Sequence, residues 1–455
     1  MTSNTIASKE RQSTLWIATI FSFRMLGLFM ILPVFSIYAT QLQNATPFLI
    51  GLALGIYGLT QGLLQIPFGL LSDKLGRKPI IAMGLILFGI GSLVAARAHS
   101  IEGVILGRAL QGAGAIGSSL TALLSDLTRE ENRTKAMGFI GITIGLAFTL
   151  AMVLGPIFNA WIGVSGIFWL TALLACLGFL ILFLLVPNPK RSYVHKDTET
   201  VPQLLSNLLK DSQLLRLDFG IFSLHAILTA SFVVLPLIIT EKIGLLEQHQ
   251  WYIYLPVLLL SFIFMLPMII ISEKKRKLKS YFIASVALLL LSQLFFIWTP
   301  NSVFWIGFIL FLFFTAFNFL EATLPSLISK RAAAGAKGSA LGIYSTSQFI
   351  GIFVGGTMGG YLYNQHDVHI VFIGCAALAL IWLIFAITMQ PPRYVSTEMI
   401  QLNKTAAQDL KKIYTELSAI KGIKEVDIDP DNRVAYLKVD KKVFDVAALK
   451  QFQAE

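Results

Sequence analysis

Residues 69–80 read GLLSDKLGRKPI. Asp73, Lys74, Arg77 and Lys78 stand together between two long apolar stretches, punctuated by Gly69 and Gly76. Gly76 permits a tight turn between antiparallel helices. A carboxylate at the end of one helix is favoured beside the positive N-terminus of another, by about 0.3–1 kcal/mol when exposed. A loop that only fixed membrane topology would need positive charge, but neither Asp73 nor the glycines.

The flanking stretches are typical of the whole chain. Of its 455 residues, 55% are apolar and 13% charged, where soluble domains carry about 25% charged residues. The lipid bilayer is therefore the expected solvent. Twelve runs reach the roughly 20 apolar residues that cross a bilayer as helix: approximately 14–39, 47–72, 79–98, 101–125, 135–161, 164–186, 215–239, 250–272, 280–298, 302–328, 339–363 and 368–390. The first is too long for a cleaved signal peptide and carries Arg24.

The net charge of +11 does not point to nucleic acid, because the basic residues follow the connections. Lys74, Arg77 and Lys78, Arg129 and Arg133, Lys274 to Lys277, and Lys330, Arg331 and Lys337 fall on one side, against Arg97 and Lys242 on the other. This positive-inside asymmetry makes both termini and the DKLGRK loop cytoplasmic. Cys176 and Cys375 read as small core residues. No Cys/His cluster of metal-ligand spacing and no cofactor motif is apparent, and no nucleophile–base pair suggests an enzyme.

The spans divide six and six about a polar stretch, giving an N-terminal half (1–186), a cytoplasmic linker (187–214) and a C-terminal half (215–390). The halves echo one another. IPFGLLSDKLGRK (66–78) aligns with LPMIIISEKKRKL (266–278), RTKAMGF (133–139) with AKGSALGI (336–343), and Leu32-Pro33 with Leu235-Pro236. The expected fold is thus an all-α membrane protein of 12 transmembrane helices in two six-helix pseudo-repeats, the plan by which transporters build a midplane site. A cytoplasmic domain of soluble composition (391–455) follows. Its pattern reads strand (396–402), helix about Leu410–Ile420, strands 424–429 and 433–439 joined at Pro430-Asp431-Asn432, and helix 443–452.

With Gly69, Asp73, Gly76, Arg77 and Lys78 at the signature positions of the loop between spans two and three, the membrane region resembles the major facilitator superfamily, in its drug:proton antiporter-like branch. The resemblance implies a cytoplasmic latch. Asp73 would sit against the start of span eleven, near Gly338 and Ser339, while the transporter faces outward. Arg77 would pair with Asp126, and Arg133 would join them. GRALQGAGAIG (107–117) resembles the span-four motif and carries Arg108. MVLGPIFNA (152–160) resembles the span-five antiporter motif, with Asn159-Ala160 where a glycine pair is usual. GAGAIG (112–117) is formally a GxGxxG. It has no preceding strand and reads as part of a continuous membrane helix, where small residues let backbones approach.

Ionisable groups within spans cost about 2.5–3.5 kcal/mol on insertion scales, so each carries a functional hypothesis. Arg24, Arg108, His225 and Glu321 lie on spans one, four, seven and ten, which by resemblance line the central cavity. At 1.5 Å per residue Arg24 and Glu321 lie roughly 15 and 10 Å deep, and the two are expected to meet as an ion pair. Low dielectric favours the neutral carboxyl and a nearby arginine the charged one, so Glu321, with Arg24 and Arg108, is the expected proton-coupling group. Tyr57, Gln61 and Gln65, with His225, Tyr254, Asn318, Tyr344 and Gln348, are the expected lining of the substrate cavity. Few charges and many aromatics suit a hydrophobic or amphipathic small molecule.

The tail resembles the ferredoxin-like heavy-metal-associated fold but lacks its CxxC, so it is expected to regulate or to bind a cytosolic partner or anionic lipid. The sequence thus points to a monomeric, proton-coupled efflux transporter of a bacterial inner membrane, without metal or cofactor. A nutrient facilitator or symporter, or a membrane sensor with vestigial transport, are the alternatives.

Overall fold

The computed structural model describes residues 3–189, 202–298, 301–333 and 336–391, and, in the C-terminal region, 396–402, 410–429, 434–440, 443–445, 447–449 and 452. The middle of the expected linker (190–201) and the turn at 430–432 lie outside the described residues. Helices dominate: α1 (Ser3–Phe29), α2 (Phe35–Ala39), α3 (Pro47–Leu75), α4 (Arg77–Arg97), α5 (Ile101–Ala113), α6 (Gly117–Leu127), α7 (Glu130–Leu184), α8 (Pro202–Leu208), α9 (Ser212–Glu241), α10 (Trp251–Lys274), α11 (Leu278–Ile297), α12 (Val303–Arg331), α13 (Lys337–Gln365) and α14 (Val368–Ile387). Among the described residues, eight helical segments are long and apolar enough to cross a membrane.

Helix ends follow local chemistry. Thr46 caps α3 by accepting from Leu49 N at 3.2 Å, with Pro47 in the first turn, where its missing N–H costs nothing. Asp211 caps α9, accepting from Gln213 N at 2.8 Å, and Asp367 caps α14, accepting from His369 N at 2.9 Å. Within α7 the backbone breaks at Gly163, whose φ of 68° and ψ of 172° lie outside the helical region.

Helices α1–α7 pack among themselves as a first bundle and α9–α14 as a second, while α13 lies against both α3 and α9. That junction is made of bare backbone. A Cβ on Gly51 would stand 2.2 Å from the Gly356 carbonyl oxygen, and one on Gly58 would stand 2.3 Å from that of Phe349. On the other side of α13, Gly351 and Gly355 face the carbonyls of Phe222 and Ala226 equally closely. Without a hydrophobic force between helices in lipid, such close approach is what joins them. Outward-facing Ile142, Leu150, Ile263 and Phe304 are all more than half exposed, as side chains solvated by lipid tails are.

The GAGAIG stretch is not continuous helix. α5 ends at Ala113 and α6 begins at Gly117, leaving Gly114, Ala115 and Ile116 non-helical. The break sits where three backbones converge: a Cβ on Gly112 would meet the Tyr57 carbonyl oxygen at 2.2 Å, and one on Gly114 that of Gly84 at 2.3 Å. The cysteines also divide, Cys375 being buried and Cys176 exposed on the outer surface rather than in the core.

In the C-terminal domain, β1 (Ser396–Gln401), β2 (Ile423–Asp429) and β3 (Val434–Val439) form an antiparallel sheet of order β1-β3-β2, crossed by α15 (Leu410–Ala419). Ile400, Ile413, Leu417, Leu437 and Phe452 share its core. The strand–helix–strand–strand order is as expected, but the final helix is not. Among the described residues of 443–452 only a 3-10 turn, Ala447–Leu449, is helical. Val443 N and Phe444 N both donate to the Asp440 carbonyl at 3.0 Å, holding the chain in a turn, and the Phe444 backbone seats against Gly422.

Candidate functional site

Two constellations stand out. The first is at the end of the bundles that carries the C-terminal domain, here the tail face. α3 and α4 are joined by Gly76 alone, with φ 96° and ψ 151°. An L residue is strained there, so Gly76→Ala is expected to cost about 1 kcal/mol of stability, measured by thermal unfolding in detergent. The turn delivers Arg77 into the first bundle, 2% exposed. Its guanidinium donates to Asp73, to Ser72 Oγ at 2.9 Å and to Asp126 Oδ2 at 3.1 Å. Lys78 donates to the Val186 carbonyl at 2.5 Å. Gly69 lets α6 close in, since a Cβ there would stand 3.0 Å from Ser118 Oγ.

The Arg77–Asp126 pair is therefore formed, but Asp73 is held by Arg77 inside its own bundle. Among the described residues it makes no bond to the start of α13 near Gly338 and Ser339. Arg133, 3% exposed at the start of α7, reaches Met399 Sδ of β1 at 3.9 Å.

The second constellation lies midway along the helices and is split between the bundles. In the first, Arg24 donates to Tyr57 Oη at 3.2 Å and to Gln61, whose amide donates to Gln65 Oε1 at 3.2 Å. Arg108 lies over the Tyr57 ring, 5.0 Å from its centroid, and donates to Gln111 Oε1 at 2.9 Å; Gln111 in turn donates to Ser92 Oγ at 2.8 Å. In the second bundle, Gln348 donates to Glu321 Oε1 at 3.3 Å and lies 2.9 Å from His225 Nε2, which is 3.8 Å from Glu321 Oε2. The Glu321 side chain is 38% exposed although it lies ten residues inside α12.

The expected Arg24–Glu321 ion pair is thus absent from this conformation. Each charge is instead engaged within its own bundle: Tyr57 and Gln61, one turn apart on α3, take the guanidinium first. Asn318 also parts from Glu321, donating to Ser261 Oγ of α10 at 3.0 Å. Tyr254 is fully buried beside Phe232, its ring centroid 6.2 Å away, and Gln250, apart from the Glu321 group. Tyr344 is buried in α13 one turn from Gln348, with a hydroxyl that has no protein partner. The sequence reading missed Gln111, Ser92 and, above all, Asp218, a carboxylate 7% exposed in α9. Its signal was present as an acid in LRLDFGIF (215–222), at the edge of the expected span.

The profile of the Major Facilitator Superfamily matches residues 16–356. This chain belongs to the major facilitator superfamily. Relatives agree: the inner membrane transport protein YajR of Escherichia coli K12 is 46% identical over 437 residues, 95% of each chain. An uncharacterized transporter of Buchnera aphidicola, BU466, is 39% identical over 76% of this chain and 89% of its own. The quinolone resistance protein NorA of Staphylococcus aureus is 30% identical over 40% of this chain and 47% of its own. Among solved folds, a mutant form of the nucleoside transporter NupG superposes with a TM-score of 0.66 at 15% identity, over 83% of this chain and 99% of that one. The human organic anion transporter MFSD10 does so with a TM-score of 0.59 at 17% identity, over the same shares. As a major facilitator, the protein is a multi-pass membrane transporter and not an enzyme.

Proposed function

We propose that this major facilitator is a proton-coupled exporter of a small hydrophobic or amphipathic molecule, working by alternating access, with Glu321 as the proton carrier. The observation that carries the reading is Glu321 itself, a part-exposed carboxylate deep in α12, whose hydrogen-bond and ion-pair neighbours among the described residues are the neutral amide of Gln348 and His225. Arg24 and Arg108 are held back in the facing bundle by Tyr57, Gln61 and Gln111. The surroundings of Glu321 are aromatic, in keeping with an amphipathic substrate: buried Phe317 lies 5.8 Å from the His225 ring and stacks on Phe148 of α7 at 5.6 Å. NorA, a quinolone resistance protein, is a relative in line with this class.

Twelve crossings in two six-helix repeats follow if α1 with α2 and α5 with α6 each make one broken span, α7 folds into two at Gly163, and α13 spans despite its glycines. The halves are then 1–186 and 215–390, with 187–214 the linker and 391–455 the regulatory tail, in a monomer of the bacterial inner membrane. The basic tail face would be cytoplasmic. At the far face Ser36 Oγ donates to the Phe232 carbonyl at 3.0 Å, and Asn159, which stands in place of the usual glycine, donates to Glu247 at 3.0 Å. With α3 and α13 also joined there, and Asp73 unlatched, this is a state open towards the tail face.

The test uses everted membrane vesicles with a fluorescent pH-gradient probe and a panel of amphipathic drugs, sugars and amino acids. Compound-triggered proton release by the wild type, lost in Glu321→Gln, is expected. An unchanged response in the variant would make Glu321 structural, and a panel that moves no protons in either would remove the export reading.

A further inference from the structure

Helix α9 carries Asp218 and His225 seven residues apart, on one face. α13 runs beside it in the same direction, Gly351 against Phe222 and Gly355 against Ala226, and presents Tyr344 and Gln348 one turn apart. Gln348 already joins His225 and Glu321. One turn closer to the tail face, Tyr344 lies within electrostatic reach of both Glu321 and Asp218. Asp218 is six residues into α9 and Glu321 ten residues from the end of α12, roughly 9 and 15 Å deep. Asp218 Oδ1, the Tyr344 hydroxyl and Glu321 Oε2 are all buried, and none has a hydrogen-bond partner within the protein. Buried polar atoms are rarely left so, and three on mutually packed helices call for an explanation.

We propose that Asp218 and Tyr344 form a proton path between the tail-face solution and Glu321, confined to the second bundle. The proposal rests on Glu321 being the proton carrier. A proton from water binds the Asp218 carboxylate. The Tyr344 hydroxyl, directly or through bridging water, accepts it while giving up its own proton to the Glu321 carboxylate. Asp218 ends ionised again, Tyr344 unchanged and Glu321 neutral; release runs the same steps backwards. Among the described residues, His225 is the other ionisable group that meets Glu321, at 3.8 Å. Of the basic residues near Asp218 and Glu321 in the chain, Arg216 donates to Thr388 at 2.9 Å, Lys330 to Glu273 at 2.5 Å and Arg331 to Asp211 at 3.3 Å. α8 carries no charge, and His369 and Cys375 belong to the other half of α14. His225, beside Glu321, acts as its neighbour rather than as a link.

The path is tested on the full-length protein reconstituted in lipid, by following the infrared carboxyl band of Glu321, identified by its loss in Glu321→Gln, after a jump in pH. In Asp218→Asn and in the nearly isosteric Tyr344→Phe the band should still titrate, while its rate of protonation falls at least about tenfold, as loss of a positioned proton-transfer group does. Rates equal to wild type in both variants would overturn the path and leave Glu321 as carrier. A band that does not titrate even in the wild type would instead overturn the proton-carrier reading on which the path rests.

Discussion

Gly356→Val should part α3 from α13 and destabilise the protein by more than about 3 kcal/mol, the upper end of what overpacking usually costs. The reason is what the new side chain would meet. A Cβ on Gly356 stands 2.5 Å from the Gly51 carbonyl oxygen and 2.9 Å from the Gly55 Cα, both backbone atoms of α3 that no rotamer change can move. Relief requires the helices to separate along their length, forfeiting the close contact that holds the far end of the bundles together. The control lies on α7, where a Cβ on Gly145 meets nothing within 4 Å. Gly145→Ala should therefore be neutral or stabilising by up to about 1 kcal/mol, as in an ordinary exposed helix position. Thermal unfolding of both variants in detergent decides the matter. Equal losses would mean that the glycine seam is incidental.

Lys438→Met should release the C-terminal domain from the membrane bundles. The Lys438 ammonium, 3% exposed on β3, donates to the carbonyls of Ser329 and Lys330 at 3.0 Å each, and to that of Ala332. These are the orphan acceptors at the end of α12, where the helix dipole also favours a cation. Charged hydrogen bonds contribute about 1.5–3 kcal/mol each, so even one of them is worth an order of magnitude or more in the docked population. Methionine keeps the stem and removes the charge. Amide hydrogen exchange should rise in the peptide covering the last turn of α12 and in the turn at Arg276 after α10, with the three strands of the sheet unchanged. Exchange at wild-type rates in both segments would show that docking rests elsewhere, on the Arg276–Asp440 pair at 2.8 and 3.1 Å for example.

Much of this architecture was legible because its causes are local. Apolar runs marked most of the helices within a few residues, and Gly76 marked a turn whose φ only glycine adopts comfortably. The Arg77–Asp126 pair followed from family resemblance and is present at 3.1 Å. What could not be read was competition between partners. Arg24 had an acid on another helix as its expected mate, yet Tyr57 and Gln61 already engage it within its own bundle. Asp73 likewise is claimed by Arg77, four residues on along the chain. The break between α5 and α6 depends on Tyr57 and Gly84 arriving from elsewhere, which no pattern within residues 107–117 records. Asp218 escaped notice because depth in a bilayer is hard to assign at the edge of an apolar run.

The C-terminal domain is fastened to the second bundle through charged side chains. Lys438 meets the end of α12 and Asp440 meets Arg276, while on the first bundle Arg133 lies 3.9 Å from Met399 Sδ. A body held by charges to the end of one moving part turns with it. The domain is thus a pointer outside the lipid. A fluorophore on its exposed surface, paired with one on the first bundle, would report the angle between the bundles without any label within the membrane.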